Sequence, residues 1–502
     1  MSSIVYRQPR ASGRSMWIWF APIQAAVAFT ILAVAAGGQI LRTWLLTAVV
    51  WVMVMPLLVS LEAGLIAMML FEPLRGVIRR AQYLFVDYSA SDPIHLLTPI
   101  VVLLAFMLLL KNQGLDIFRH SRLASAVSLL LLIDFIQIFN PLQGGLFVGL
   151  SGALFMLVPM LWFYFGQAAR ADFLKTALRL IVVMGLITSL YGVYQLLFGL
   201  TSFDQFWLDH SEYNNWVRVA GVVRAMATYA NAEEWSRYLD ISALGALGLA
   251  VMANRYAHRI AWFGCGLLLF GALIISGERT SIFGFIMGSA ILLLSGARTP
   301  GGLLRRAALF LIPALLIFAF AKPPAESDLG ETEQSQAVQS MVSHSARGVL
   351  QPTGEGSLYA RFENWGVVGK VILYRPFGLG IGAGSIAQAR NAQDVDDLPA
   401  TDSYILSVTL AGGILAGVLC LWIFGNATLI SWRAFRRAAP DSHQSGMWRV
   451  MLAIMPVLAF INLFGYSFLL VSVAPVGWLL IGWVSAEDRR MSAETEREII
   501  IL

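Results

Sequence analysis

Five side chains in this sequence place charge beside long apolar runs. Arg218 and Arg224 flank Gly221 just ahead of one such run, in RVAGVVRAMATYANAEEWSRYL. Arg279 sits in Ser276-Gly277-Glu278-Arg279-Thr280-Ser281, between two apolar runs with hardly any loop. Arg361 opens the stretch YARFENWGVVGKVILYRPFGLGIGAG from Tyr359, and Asp402 stands on the lip of a later apolar run. Guanidinium groups bind phosphates through paired hydrogen bonds, so arginines gathered at one membrane face suit a pyrophosphate. A carboxylate at the same face could take the proton of an attacking hydroxyl. Each residue also has a plainer reading. Arg218 and Arg224 could pair with Glu212, Glu233 or Glu234 or reach lipid headgroups, and Arg279 could pair with Glu278. Asp402 could cap the helix that follows, with Ser403 as the rival cap.

These residues need elements to hold them, and composition says which. Of the 502 residues, 58% are hydrophobic and 13% charged, against about a quarter charged in soluble domains. Apolar runs recur near 17–36, 43–71, 95–110, 123–139, 145–165, 173–198, 238–253, 259–276, 281–295, 303–321, 403–429, 449–468 and 470–484. They are continuous rather than alternating, which favours helices over a barrel. The expectation is an all-α polytopic membrane protein with 12–14 transmembrane helices, one domain over 1–502, without a soluble domain or an internal repeat. The first run follows Arg7, Arg10 and Arg14 and imitates a secretory signal, but its length predicts an uncleaved helix.

Lys and Arg concentrate between Lys111 and Arg122, Arg170 and Lys175, Asn254 and Arg259, Arg298 and Arg306, and Trp432 and Arg449. Placing all of these in the cytoplasm is self-consistent from residue 111 onward, and makes 486–502 a cytoplasmic tail. Three segments then lie outside: a loop at 199–237, the turn at 277–280, and a large loop at 322–402. Within the last, 325–357 is polar, while Phe362, Trp365, Val368 and Ile372 recur at the spacing of an amphipathic surface helix. The first hundred residues resist this scheme. An even number of crossings is needed where three runs are visible, and 43–71, interrupted by Pro56 and Glu62, could be a tilted helix, a hairpin or partly interfacial.

Other chemistries are excluded or weakly signalled. The net charge of +5 resides in topology-setting loops and gives no reason to expect nucleic acid as a partner. GLGIGA fits G-x-G-x-x-A, but without a strand-turn-helix unit it is no nucleotide cradle. Its glycines instead suit a loop whose backbone closely approaches a ligand or another helix. The histidines (His95, His120, His210, His258, His344 and His443) are scattered, and Cys265 and Cys420 lie inside apolar runs, so neither a metal site nor a disulfide is expected. Asp394, Asp396 and Asp397 read as a solvated acidic loop, and Glu62, Asp134 and Gln137 as costly intramembrane polar groups without an assigned role. A transporter would show repeats and midplane polar groups, whereas the unusual charges here lie at the rim.

Taken in order, these pieces resemble the bacterial O-antigen ligase and polysaccharide polymerase superfamily of membrane glycosyltransferases. The resemblance is carried by Arg218-x-x-Gly221-x-x-Arg224, by Ser276-Gly277-Glu278-Arg279-Thr280, and by Arg361-x-x-x-Trp365 ahead of Arg375-Pro376-Phe377-Gly378-Leu379-Gly380-Ile381-Gly382. It ends with Thr401-Asp402-Ser403-Tyr404-Ile405-Leu406 before Gly412-Gly413-Ile414-Leu415-Ala416-Gly417. It covers about 215 to 420, and beyond that only hydropathy. It implies a GT-C-like fold in the bacterial inner membrane and inverting, metal-independent transfer of an oligosaccharide from a polyprenyl pyrophosphate carrier to a sugar hydroxyl, without a cofactor. Partners implied are the lipid-linked oligosaccharide, membrane lipids, a flippase and a chain-length regulator. Arg218, Arg224, Arg279 and Arg361 would bind the pyrophosphate, with Arg279 and Asp402 catalytic. Many members, ligases especially, carry His-Asn where this chain has Asp402-Ser403, which leans towards the exopolysaccharide polymerases. A ligase for lipid or protein acceptors and a transporter are the alternatives.

Overall fold

The computed structural model describes residues 29, 31–33, 39–88, 92–119, 121–211, 218–219, 222–297, 301–302, 356–384, 401–439 and 442–501. The runs 303–321 and most of 17–36, the polar stretch up to 355, the acidic group Asp394, Asp396 and Asp397, and His120 and His344 lie outside the described residues. Among the described residues, seven helices are long and apolar enough to cross a membrane, which makes the chain a multi-pass membrane protein.

The 43–71 run is a hairpin. Helix α1 (Ile40–Val59) is followed at once by α2 (Leu61–Phe71), because Ser60 turns to extended backbone and its Oγ accepts from Ala63 N. Contacts fix where each end lies. At the start of α1, Arg42 meets Asp92 at 2.8 Å, while Glu62, past the turn, accepts from the Arg170 backbone N at 3.1 Å. Twenty helical residues rise about 30 Å, so α1 separates these two ends by a membrane thickness. Helix α3 (Arg75–Gln82) returns to the Asp92 end, where Arg79 also pairs with that carboxylate at 3.2 Å. One apolar run thus turns back on itself, and its second arm, extended by α3, returns to the end from which α1 started.

The remaining elements, in order, are α4 (Leu97–Gln113), α5 (Arg122–Gln137), α6 (Leu146–Phe155), α7 (Leu157–Met160), α8 (Trp162–Ala168), α9 (Phe173–Phe198), α10 (Ser202–His210), α11 (Ala232–Met252), α12 (Tyr256–Ile275), α13 (Arg279–Leu294), α14 (Gly356–Tyr374), α15 (Tyr404–Arg437), α16 (His443–Leu463) and α17 (Ala474–Ile501). Between α10 and α11, the two-residue strands β1 (Arg218–Val219) and β2 (Val222–Val223) pair antiparallel with Arg218 opposite Val223, a small departure from an all-α expectation. The described parts of the basic loops meet at one end of the bundle. Ser121 bonds Ser485 at 2.6 Å, Arg490 donates to Ala169 O at 3.0 Å, and Arg449 donates to the carbonyls of Leu292 and Leu293 at the foot of α13. Segments 72–96, 199–231 and 276–281 gather at the opposite end.

The run at 403–429 is one helix by hydropathy but not by backbone. Helix α15 breaks at Gly413, whose φ of 83° is left-handed. A break inside a membrane needs its freed polar groups satisfied by protein, and the glycine loop after α14 does this. Leu379 N donates to Leu410 O at 2.9 Å, Gly380 N to Ala411 O at 3.1 Å, and Ile414 N to Pro376 O at 2.9 Å. The two chains run so close that a Cβ on Gly413 would meet Pro376 O at 2.3 Å. The end of α5 and the turn after it clamp the loop from behind. Gln137 Nε2 donates to Phe377 O at 2.7 Å, and Gly382 N to Gln143 Oε1 at 2.9 Å. The glycines therefore serve close approach to a helix, and Gln137, costly in the sequence, is explained as their anchor.

Candidate functional site

The chain ahead of α11 is shaped by a buried arginine. Arg80, 1% exposed, pairs with Asp204 at 2.6 Å and donates to the carbonyls of Ala227 and Tyr229. Gln195 Oε1 accepts from Ala227 N at 2.8 Å and Met226 N at 3.1 Å. This clasp holds Ala227 at φ 48°, which a non-glycine residue adopts only when its surroundings enforce it. Asn231 then caps α11, accepting from Glu234 N at 2.8 Å, while Glu234 reaches back to Ala230 N at 3.2 Å. Arg224 is thereby delivered to the top of the bundle beside the turn between α12 and α13.

That turn holds the anionic counterpart. Gly277 takes φ 76°, so the chain reverses at once and α13 starts at Arg279. Glu278 occupies the N-cap position, yet its side chain caps nothing. Its carboxylate instead forms an ion pair with Arg224, both side chains being 14% exposed. Burial alone would raise the Glu278 carboxyl, but Arg224, Arg237 and Arg361 outweigh it and hold the group below its ordinary value of 4.5. Arg279 is half-buried in the first turn of α13, whose N-terminus adds partial positive charge to its own. Beneath it lies Arg237, fully buried on α11, donating to Ser281 Oγ at 3.1 Å and pairing with Glu233 at 3.2 Å.

The other half of the site comes from α14 and α15. Helix α14 buries Val368 and Ile372 against Leu410 of α15, and Trp365 packs on Phe464 with centroids 5.7 Å apart. The amphipathic spacing read from the sequence is this contact. Phe362, at the same spacing, is 54% exposed and lies off the packed face. Arg361 projects from the first turns of α14 between the two halves. Its Nη1 donates to Phe464 O at 3.2 Å and to Thr280 Oγ1 at 3.5 Å, and its Nε lies 3.8 Å from Asp402 Oδ2. Ser403 caps α15, accepting from Leu406 N, and is itself held by the Asn462 carbonyl at 3.3 Å. The rivalry over the cap is settled: Ser403 takes it, and Asp402 faces the arginine.

The structure therefore gathers Arg224, Arg279, Arg361 and Asp402 around the first turn of α13. Arg218 lies in β1, in the ribbon that leads into Arg224. Two pairings differ from the plainer sequence readings. Arg224 takes Glu278, Glu212 lies outside the described residues, and Glu234 serves the Ala230 backbone N, just ahead of α11, and Ser472, at 2.8 Å. Sequence reasoning passed over Arg237 and Ser281 as site residues. The available signal was Glu233 and Arg237 at i,i+4 spacing where a membrane helix begins. Among the described residues no cluster of three or more metal-ligating side chains occurs. The arrangement can bind a compact dianion between guanidinium groups and present one carboxylate beside it.

Comparison with known families places a segment of the chain. Residues 264–421 match the O-Antigen ligase family model. The segment runs from α12 into α15 and contains Glu278, Arg279, Arg361 and Asp402, and the match supports the O-antigen ligase and polysaccharide polymerase superfamily. No curated protein matches the sequence.

Proposed function

From the match of residues 264–421 to the O-Antigen ligase family model and the cluster of arginines beside Asp402, we propose that the chain is a membrane glycosyltransferase of the O-antigen ligase and polymerase superfamily that polymerises lipid-linked oligosaccharide repeat units. The end of the bundle holding the site faces outward from a bacterial inner membrane, and the basic end with the 486–502 tail faces the cytoplasm, in keeping with the positive-inside rule. The donor is an oligosaccharide on a polyprenyl pyrophosphate, whose phosphates Arg224, Arg279 and Arg361 bind, with Arg218 close by in β1. The lipid tail lies along the apolar flank of the bundle. Asp402 takes the proton of the acceptor hydroxyl, the new glycosidic bond forms with inversion, and the pyrophosphate leaves with the bonding electron pair. No metal is needed in this scheme, because guanidinium groups and the α13 N-terminus meet the negative charge that develops on the leaving group. A flippase supplying donor and a chain-length regulator would be its partners.

The observation that carries this reading is the Arg361 bridge. One side chain spans Thr280, in the first turn of α13, and Asp402, at the lip of α15. Leaving-group and acceptor chemistry are thus adjacent. The test is purified protein in liposomes with lipid-linked oligosaccharide, without nucleotide or ion gradient. Lengthened glycan on the carrier is expected, and its absence with intact protein would remove the reading. A ligase is the second reading, favoured by the family description of residues 264–421. Cells lacking the protein separate the two: single repeat units on the carrier mark a polymerase, completed polymer on the carrier a ligase.

A further inference from the structure

The donor-side arginines are already engaged by carboxylates. Arg224 is paired with Glu278, Arg237 with Glu233, and Arg361 with Asp402. Four guanidinium groups (Arg224, Arg237, Arg279, Arg361) stand against three carboxylates (Glu233, Glu278, Asp402), a surplus of one positive charge. A doubly esterified pyrophosphate brings about two negative charges, so it would over-neutralise the site while every carboxylate stayed in place. The arginines distinguish the three pairs, Arg237 being wholly buried while Arg224 is 14% and Arg361 30% exposed. Arg237 is wholly buried and also bonded to Ser281, so it and Glu233 form the fixed floor. Glu278 sits on a left-handed glycine turn and makes no cap bond, and Asp402 is 38% exposed ahead of a helix that Ser403 caps. These two carboxylates can leave without undoing a helix.

We propose that Glu278 is a resident anion. It holds Arg224 in the seat of one donor phosphate and is displaced when the pyrophosphate arrives, while Asp402 does the same for Arg361 and departs as the base. This rests on the reading that the arginines bind pyrophosphate, and adds to it a role for Glu278 and an order of events. Before donor binds, Arg361 holds Asp402, with Nε 3.8 Å from Oδ2. Once a phosphate takes the guanidinium, the carboxylate is released from its partner and is free to face the acceptor hydroxyl. It then accepts the proton of the acceptor hydroxyl as that oxygen bonds to the anomeric carbon. The bond from that carbon to the pyrophosphate breaks, its electron pair leaves with the polyprenyl pyrophosphate, and the proton later passes from Asp402 to water. Donor therefore binds first, and the base is armed only when there is something to attack. Glu278 is a positioning residue in this scheme, acting through Arg224.

The test is equilibrium binding of tritiated polyprenyl pyrophosphate, without sugar or acceptor, to the full chain in phosphatidylcholine nanodiscs. A charge-assisted contact at this burial corresponds to about a tenfold change in affinity. Glu278→Gln removes the competing charge and is expected to tighten binding about tenfold, whereas Arg224→Ala weakens it. A structural lesion does not tighten ligand binding, so the gain separates positioning from folding. If Arg224→Ala weakens binding while Glu278→Gln leaves it unchanged or weaker, the resident-anion proposal is overturned and the pyrophosphate reading stands. If Arg224→Ala has no effect, both fall. Asp402→Asn provides a second arm that needs no turnover, with about threefold tightening expected for its more exposed pair. Should Glu278→Gln not yield folded protein, that arm decides: tightening supports the proposal and no tightening overturns it.

Discussion

Replacing Arg361 by alanine should separate catalysis from stability more cleanly than any other change in this molecule. The side chain is 30% exposed, lies 3.8 Å from Asp402, and makes two hydrogen bonds, to Phe464 O at 3.2 Å and Thr280 Oγ1 at 3.5 Å. An ion pair at this exposure contributes about 0–1 kcal/mol, and a hydrogen bond to a backbone carbonyl about 1 kcal/mol more. The folded state should therefore lose no more than about 2 kcal/mol. A preorganised donor facing charge that develops in the transition state is worth about 3–4 kcal/mol, or a 10²–10³-fold loss of rate. Arg80→Ala supplies the contrast. It strands the buried Asp204 and two carbonyls, at about 3–5 kcal/mol, and should unfold the protein rather than slow it. The assay is elongation of radiolabelled lipid-linked oligosaccharide in liposomes under single-turnover conditions, paired with thermal melts in detergent. A rate for Arg361→Ala within tenfold of wild type would refute the placing of this residue at the leaving group. A melting shift as large as that of Arg80→Ala would refute the stability reasoning.

Asp402→Asn and Ser403→Ala, one residue apart, should behave oppositely. The first should abolish elongation with an unchanged melt, and the second should remove a helix cap at about 1 kcal/mol while elongation persists. Gly413→Ala forces alanine to φ 83° and drives its Cβ to 2.3 Å from Pro376 O. Strain of about 1–3 kcal/mol plus the clash should appear as a lower melting temperature and a loop at 376–384 open to protease. The pH dependence of stability follows from Glu278, faced by Arg224, Arg237 and Arg361 and by the Glu233 carboxylate. Its folded pKa lies below 4.5, so its stabilisation is complete above that pH and is lost as pH falls through the folded value. Melts of wild type should drop more steeply below about pH 4.5 than those of Glu278→Gln. Parallel curves would show that Glu278 is not held ionised by these arginines.

The membrane class was legible because continuous apolar runs leave only helices as an answer, and Arg224, Arg279, Arg361 and Asp402 were legible as charges at the rim of lipid. What escaped had identifiable causes. Hydropathy averages over a window, so it could not see that Ser60 splits one run into a hairpin or that Gly413 breaks another. Pairings escaped because they join distant residues. Arg224 and Glu278 are separated by 54 positions and Arg80 and Asp204 by 124, and local spacing carries no sign of either. The glycine loop was read correctly as a close-approach element, but its partner was visible only once α15 was seen to be broken. The floor of the site, Arg237 with Ser281, was missed because a single arginine at the start of an apolar helix resembles an interfacial anchor.

The break at Gly413 bears on how the protein is made. The first half of α15, Tyr404 to Gly412, is about 14 Å long, too short to span a membrane unaided, and its freed carbonyls are met by a loop that leans on Gln137 and Gln143. Those anchors leave the ribosome some 240 residues earlier. Arg224, Glu278 and Arg279 can assemble as soon as α11 to α13 are inserted, whereas Arg361 and Asp402 come into register only after the glycine loop has found the end of α5. If the proposed function holds, the nascent chain would therefore carry its phosphate-binding half before its base. On the proposed function, a chain halted before residue 356, ahead of α14, would carry the donor-side Arg224 and Arg279 and neither Arg361 nor Asp402.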